Sequence, residues 1–277
     1  MSDTLTVAYL GPAGTYSQAA VLEHFGAQCQ QLAVPSIDEA FVAVQNHSAD
    51  AAVVPIENST EGIVNNTQDC LVDAAASIIG EVILPIEHHL LLGEQTSESE
   101  ITTIVSHPQS LAQCRRWLKI NMPNVVTREA VSNADAAQQA LNTQGVAAIA
   151  GSLAAQTYGL QIARKAIQDQ AHNKTRFIVL GEGDTQPTGR DKTSILVYAA
   201  NKPGALFHVL EPFENLQISL TKIDSRPAKK AAWEYVFFID FEGHRDDEPV
   251  QELFRRLDGC TEEIKLLGSY PACDNKA

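Results

Sequence analysis

The chain has no long apolar run, no cluster of Lys and Arg, and no closely spaced cysteine pair, and each absence removes a class of function. No uninterrupted apolar stretch approaches membrane-spanning length. The opening MSDTLTVAYLG lacks the basic-then-apolar pattern of a secretion signal. Only 20 Lys and Arg stand against 34 Asp and Glu in 277 residues, a formal net charge of −14. Nucleic acid is therefore not expected as the main partner, because phosphate backbones need a basic face. A small anionic substrate needs only one or two local Arg or Lys. The five cysteines (Cys29, Cys70, Cys114, Cys260 and Cys273) are scattered, odd in number and never spaced CxxC. They read as reduced thiols of a cytoplasmic protein, not as a disulfide or zinc framework.

The length suits two domains. Up to about Gly181, short apolar runs alternate with amphipathic stretches, the pattern of an α/β fold. Thr6–Leu10 and Ala51–Ile56 read as buried strands. Thr15 with Gln18, Ser36 with Glu39, and Ser132 with Asp135 are spaced to cap helices. The run Ile78–Leu92 reads as two extended segments broken near Pro85. The region divides into a first lobe of about 1–77 plus 158–182 and a second of about 78–157. Residues 183–191 are rich in Gly, Pro and charge and read as a linker. Residues 192–277 then follow the order β-α-β-β-α-β, the ferredoxin-like arrangement.

Polar clusters fall at the ends of the first region's strands, where open α/β sheets bind ligands. Gly11-Pro12-Ala13-Gly14-Thr15-Tyr16-Ser17 reads either as an anion cradle of backbone N–H groups or as a plain tight turn. It contains no GxxxxGKS/T, so a nucleotide P-loop is not expected. Glu57-Asn58-Ser59-Thr60 reads as a site or a capped turn. Ser106-His107-Pro108-Gln109 opens a helix carrying Gln113 one turn after Gln109, with His107 an acid–base group or a structural donor. Asn173-Lys174-Thr175-Arg176-Phe177 supplies a hydroxyl and a planar fork suited to a carboxylate.

In order and spacing, GPAGTYS, PIENSTEG, SHPQSLAQC and NKTRF, then PGALF and DSRP, resemble the prephenate dehydratase family over nearly the whole chain. The resemblance implies a catalytic region with two lobes, like a type 2 periplasmic binding protein, and a carboxyl-terminal ACT domain that senses phenylalanine. It implies conversion of prephenate to phenylpyruvate in phenylalanine biosynthesis, with no cofactor and no metal. Thr175 is then the principal catalytic residue and Glu57 the alternative proton source. Asn58, Ser59, Ser106, Gln113 and Thr15 position the substrate, and Arg176 clamps a carboxylate. Asn201, Gly204, Ala205, Leu206, Asp224, Ser225 and Arg226 fall at the effector motifs. The family writes ESRP where this chain has Asp224-Ser225-Arg226-Pro227. ACT domains pair across subunits, so a homodimer or homotetramer is expected. The start directly on a strand leaves no room for a fused chorismate mutase domain, which suggests a single activity. Arogenate dehydratase and a non-catalytic sensor of small molecules are the competing readings.

Overall fold

The computed structural model describes residues 4–199, 202–227 and 235–273. The chain divides into two compact units: Met1–Thr67 with Val82–Phe177, and Gln68–Glu81 with Ile178–Ala277. Three elements run across this division.

The first lobe contains β1 (Thr6–Leu10), α1 (Tyr16–Phe25), β2 (Gln30–Val34), α2 (Ile37–Gln45), β3 (Ala51–Asn58), β4 (Gly62–Ile63), α3 (Asn65–Asp73) and β5 (Ser77–Pro85). The second contains β6 (His89–Leu92), β7 (Thr103–Ser106), α4 (Pro108–Gln113), α5 (Arg115–Asn121), β8 (Val126–Glu129), α6 (Asn133–Asn142), β9 (Val146–Ala150), α7 (Ser152–Tyr158) and β10 (Gln161–Arg164). The chain then returns to the first sheet as β11 (Lys174–Gly181). Strand order is β2-β1-β3-β11-β5 in the first sheet, with β4 paired to β3, and β10-β6-β9-β7-β8 in the second. β1 is parallel to β2 and β3, and β7 to β8 and β9, whereas β6 is antiparallel to both its neighbours. The sheets are therefore mixed where the alternation had suggested parallel ones. The lobe boundaries also shift from the expected positions. Ser77–Pro85 still belongs to the first sheet, and Gln161–Arg164 to the second.

Local chemistry sets the helix starts. The side chains of Thr15, Ser36 and Ser132 accept the backbone N–H three residues on, at 3.4, 3.2 and 3.0 Å. The parallel strands are solidly apolar because both their faces are covered: Val7, Ala8, Ala52, Val53, Val54, Ala147, Ala148 and Ile149 have no exposed surface. All five cysteines are free thiols.

The second unit holds β12 (Asp191–Tyr198), α8 (Ala205–Asn215), β13 (Leu220–Pro227), β14 (Tyr235–Glu242), α9 (Glu248–Asp258) and β15 (Glu263–Pro271). The sheet is antiparallel with order β13-β14-β12-β15, and α8 and α9 pack on it through Val209, Phe213, Leu253 and Leu257. Within this unit Lys265 Nζ donates to the carbonyls of Leu71 and Val72 in the last turn of α3, which lack helical partners, and to that of Ala74 just beyond it. Gly268 has φ 156°, and a side chain there would meet the carbonyl of Ile78. Lys192 Nζ donates to both oxygens of Glu81 at 2.8 Å, and Cys273 N–H donates to Glu81 Oε1 at 2.9 Å. The side chains of this pair are 14% and 1% exposed.

Removing one member of such a buried pair strands the other. Lys192→Met is expected to lower stability by about 3–5 kcal/mol, and Lys192→Met combined with Glu81→Leu to recover most of it. Thermal unfolding midpoints of the two variants check this.

Candidate functional site

Within the first unit, the carboxyl ends of β1, β3 and β9, the amino end of β11 and the amino ends of α1, α4, α6 and α7 border a cavity of about 780 Å³. Among the described residues lining it there is no Asp, Glu, Lys or Arg. Its polar groups are amides, hydroxyls and two imidazoles.

One amide sets the orientation of the others. The N–H groups of Thr60 and Glu61 donate to Asn58 Oδ1 at 2.9 and 3.0 Å. Backbone N–H can only donate, so the Asn58 NH₂ must face the cavity. There it donates to Asn173 Oδ1 and Thr175 Oγ1, both at 2.8 Å. Asn173 Nδ2 in turn donates to Gln113 Oε1 at 2.9 Å, and Gln113 Nε2 to Glu61 Oε1 at 3.1 Å. His88 Nε2 lies 2.8 Å from the same Gln113 oxygen and therefore carries the ring proton. Tyr16 OH donates to Glu87 O at 2.5 Å and lies 3.3 Å from His88 Nδ1.

His88 is 2% exposed. Burial lowers its pKa below the ordinary value, outweighing the hydrogen bond to Gln113, and neighbouring His89 lowers it further. Burial likewise pushes the Tyr16 phenol up, helped by Cys114 and Glu87. It also pushes the Cys114 thiol up to about 12, with Asp169 adding to the shift. The described wall thus carries no carboxylate, ammonium or guanidinium group. Among the described residues, no group of three His, Cys, Asp or Glu is placed to hold a metal ion.

Of the residues singled out in the sequence, Thr15, Asn58, Gln113 and Thr175 line this cavity together. Glu57, Ser59, Ser106 and Arg176 do not. Side chains alternate along a strand, so Asn58 facing the cavity turns Glu57 to the other face, and Thr175 does the same to Arg176. Ser59 Oγ instead accepts Lys174 N–H at 2.9 Å and ties the loop to β11. Ser106 is fully buried, its Oγ 2.6 Å from Ile149 O and 2.9 Å from Asn133 Oδ1. His107 caps α4, its Nδ1 accepting Gln109 N–H at 3.3 Å.

In the second unit Gly204 (φ 81°) caps α8, which begins with Ala205 and Leu206. Asp224 Oδ2 accepts from Gln68 Nε2 at 2.8 Å, and Arg226 Nη2 donates to Asp69 Oδ1 at 2.5 Å. These two motif side chains therefore hold α3. Ser225 is exposed on β13, and Asn201 lies outside the described residues. Sequence reasoning passed over His88, Asn173 and Tyr16 as site residues. A buried His in IIGEVILPIEHHLLL carries no local mark of function, whereas Asn173 and Tyr16 stood inside clusters already noted.

Residues 7–185 match the family model of prephenate dehydratase, and residues 193–259 that of the ACT domain. A bifunctional chorismate mutase/prephenate dehydratase of Stutzerimonas stutzeri is 48% identical over 271 residues, 98% of this chain and 74% of that protein. The crystal structure of prephenate dehydratase from Arthrobacter aurescens in complex with L-Phe matches with a TM-score of 0.91 at 32% identity, covering 98% of this chain and 92% of that one. The solved structure of GqqA, described as a novel type of quorum quenching acylase, matches with a TM-score of 0.90 at 26% identity, covering 98% and 100%.

His24, His88 and His89 all hold a proton less tightly in the folded chain than their ordinary value of 6.5. Below that pH the unfolded chain takes up more protons, so stability is full above it and declines as pH falls through it. Urea midpoints measured from about pH 8 to about pH 5 should fall on that side, with His88→Gln reducing the slope. Ring ¹⁵N shifts should show the neutral Nε2–H tautomer at pH 7.

Proposed function

Because this chain belongs to the prephenate dehydratase family, with an ACT domain behind the catalytic region, we propose that its reaction is carried out by the cavity around Asn58 and Thr175. The reaction is dehydration and decarboxylation of prephenate to phenylpyruvate. The electron pair of the bond to the ring carboxylate moves into the ring as CO₂ departs, and the ring hydroxyl leaves from the opposite carbon. Aromatisation drives the step, and the leaving oxygen needs a proton or a strong hydrogen bond.

One observation carries the assignment of that role to Thr175. Its Oγ1 already accepts from Asn58, and its own O–H proton has no acceptor among the described residues. The hydroxyl is therefore polarised by one bond and free to give another into the cavity. The N–H groups of Thr60 and Glu61 hold Asn58 in the donating orientation. Glu57 and Arg176, on the opposite strand faces, take no direct part. With Glu57 off the wall, the described lining carries no carboxylate to repel the dianionic substrate, and Glu61 reaches the network only through Gln113 Nε2.

The same neutrality favours prephenate over arogenate, because an ammonium group would find no carboxylate on the lining. It also separates this site from acyl transfer, the chemistry named for one structural neighbour. His88 spends its Nε2–H on Gln113 and no base reaches Thr175 Oγ1 among the described residues, so that hydroxyl lacks the activation a nucleophile needs.

We assign residues 1–182 to catalysis, 183–191 to a linker and 192–277 to phenylalanine-dependent feedback, and we place the protein in the cytoplasm as a homodimer or homotetramer. Among the described residues, no helix is long and apolar enough to cross a membrane. The edge strand β13 leaves Ile223 at 45% exposed, and Tyr235 on β14, opposite Pro227 at its far end, is 48% exposed, apolar surface that suits a second copy.

Thr175→Val is expected to lower kcat by about 10²–10⁴ at nearly unchanged KM, while Thr175→Ser retains most of the rate. Glu57→Gln and Arg176→Gln are expected to stay within about threefold of the parent. Phenylpyruvate formation at saturating prephenate decides each case, and kcat/KM for prephenate should exceed that for arogenate. A phenylalanine titration should lower turnover and raise the thermal midpoint.

A further inference from the structure

A doubly charged substrate enters a cavity with no Lys or Arg on its described lining, and the expected clamp, Arg176, stands elsewhere. Its carboxylates must be met by neutral donors. We propose that the amino end of α1, together with the Ser17 hydroxyl, forms the subsite for the carboxylate that the product retains. This deepens the proposed prephenate chemistry and rests on it.

α1 is ten residues long, has no acidic residue in its first turn and is capped by Thr15. Thr15 Oγ1 takes the Gln18 N–H at 3.4 Å, and Gln18 Oε1 takes the Gly14 N–H at 2.6 Å. The N–H groups of Tyr16 and Ser17, by contrast, precede any intrahelical acceptor and point out of the helix end. Ser17 is only 6% exposed and lines the cavity, yet its hydroxyl has no hydrogen-bond partner among the described residues. The hydroxyl is not among the fully buried unpaired atoms, so it opens onto the cavity and keeps a proton to give to a ligand there. Gly14, at φ 83°, brings this turn within 3.1 Å of Ala154 on α7, measured from where a side chain would begin, so the approach requires glycine. The two carboxylates of prephenate have opposite needs. Tight binding of the one that leaves would stabilise the ground state, so an anion cradle serves the side-chain carboxylate that stays.

Phenylpyruvate carries the retained carboxylate and not the lost one, and its binding can be measured without turnover. Ser17→Ala should raise KM for prephenate about tenfold with kcat within about threefold, and should weaken phenylpyruvate by the same factor in calorimetry. Its thermal midpoint should stay at the parent value, because the hydroxyl has no internal partner. Ser17→Asp, well tolerated at a helix start, should weaken both ligands more than Ser17→Ala does. Unchanged KM and phenylpyruvate affinity in both variants would overturn the proposal. A raised KM with unchanged phenylpyruvate affinity would do the same, since the site would then hold the leaving carboxylate. A lowered thermal midpoint in Ser17→Ala would make the hydroxyl structural and also sink it. If the parent chain fails to convert prephenate, the functional reading falls, while the phenylpyruvate titration still decides the carboxylate subsite.

Discussion

The site depends on a carbonyl that can face only one way. Two backbone N–H groups from the turn after β3 fix Asn58 Oδ1, so the amide's donors must point at Asn173 and Thr175. Each bond downstream inherits its direction from this one. Asn173 must donate to Gln113, Gln113 to Glu61, and His88 must place its proton on Nε2. A network whose polarity is set by main-chain geometry loses little order when a ligand arrives, which is the advantage of preorganised dipoles over mobile charges.

Much of this was legible in the sequence. The solidly apolar strand Ala51–Ile56 announced a sheet covered on both faces, and capping spacings located α1, α2 and α6. The βαββαβ order of the second unit followed from the succession of apolar runs. What escaped has physical causes. β2 is half-exposed along QQLAV and β8 is exposed along VTRE, so neither shows the apolar alternation that marks a strand. α3 begins NNTQDC, a polar start without apolar periodicity, and is held by contacts with residues more than 150 positions away.

The candidate site divided along similar lines. Motif clusters drew attention to Glu57 and Arg176 because charged residues attract functional roles. Strand alternation turned both away and left Asn58 and Thr175, singled out in the same clusters, on the cavity. His88 could not be found from its surroundings in the chain, since its meaning comes from Gln113, 25 residues further on. In the second unit, Asp224 and Arg226 carry an expected effector motif but grip α3, which follows the Asn58 turn along the chain.

The uncharged wall of the cavity has a kinetic side. A protein of net charge −14 repels a dianion at long range, and among the described residues the cavity lining holds no Lys or Arg to reverse that field. Capture then relies on short-range dipoles, which act only after the ligand has crossed the outer repulsion. Added salt screens that repulsion over about 10 Å at 0.1 M while barely touching hydrogen bonds inside. Substrate association in this chain should therefore quicken as ionic strength rises, the reverse of enzymes that draw anions in with arginine.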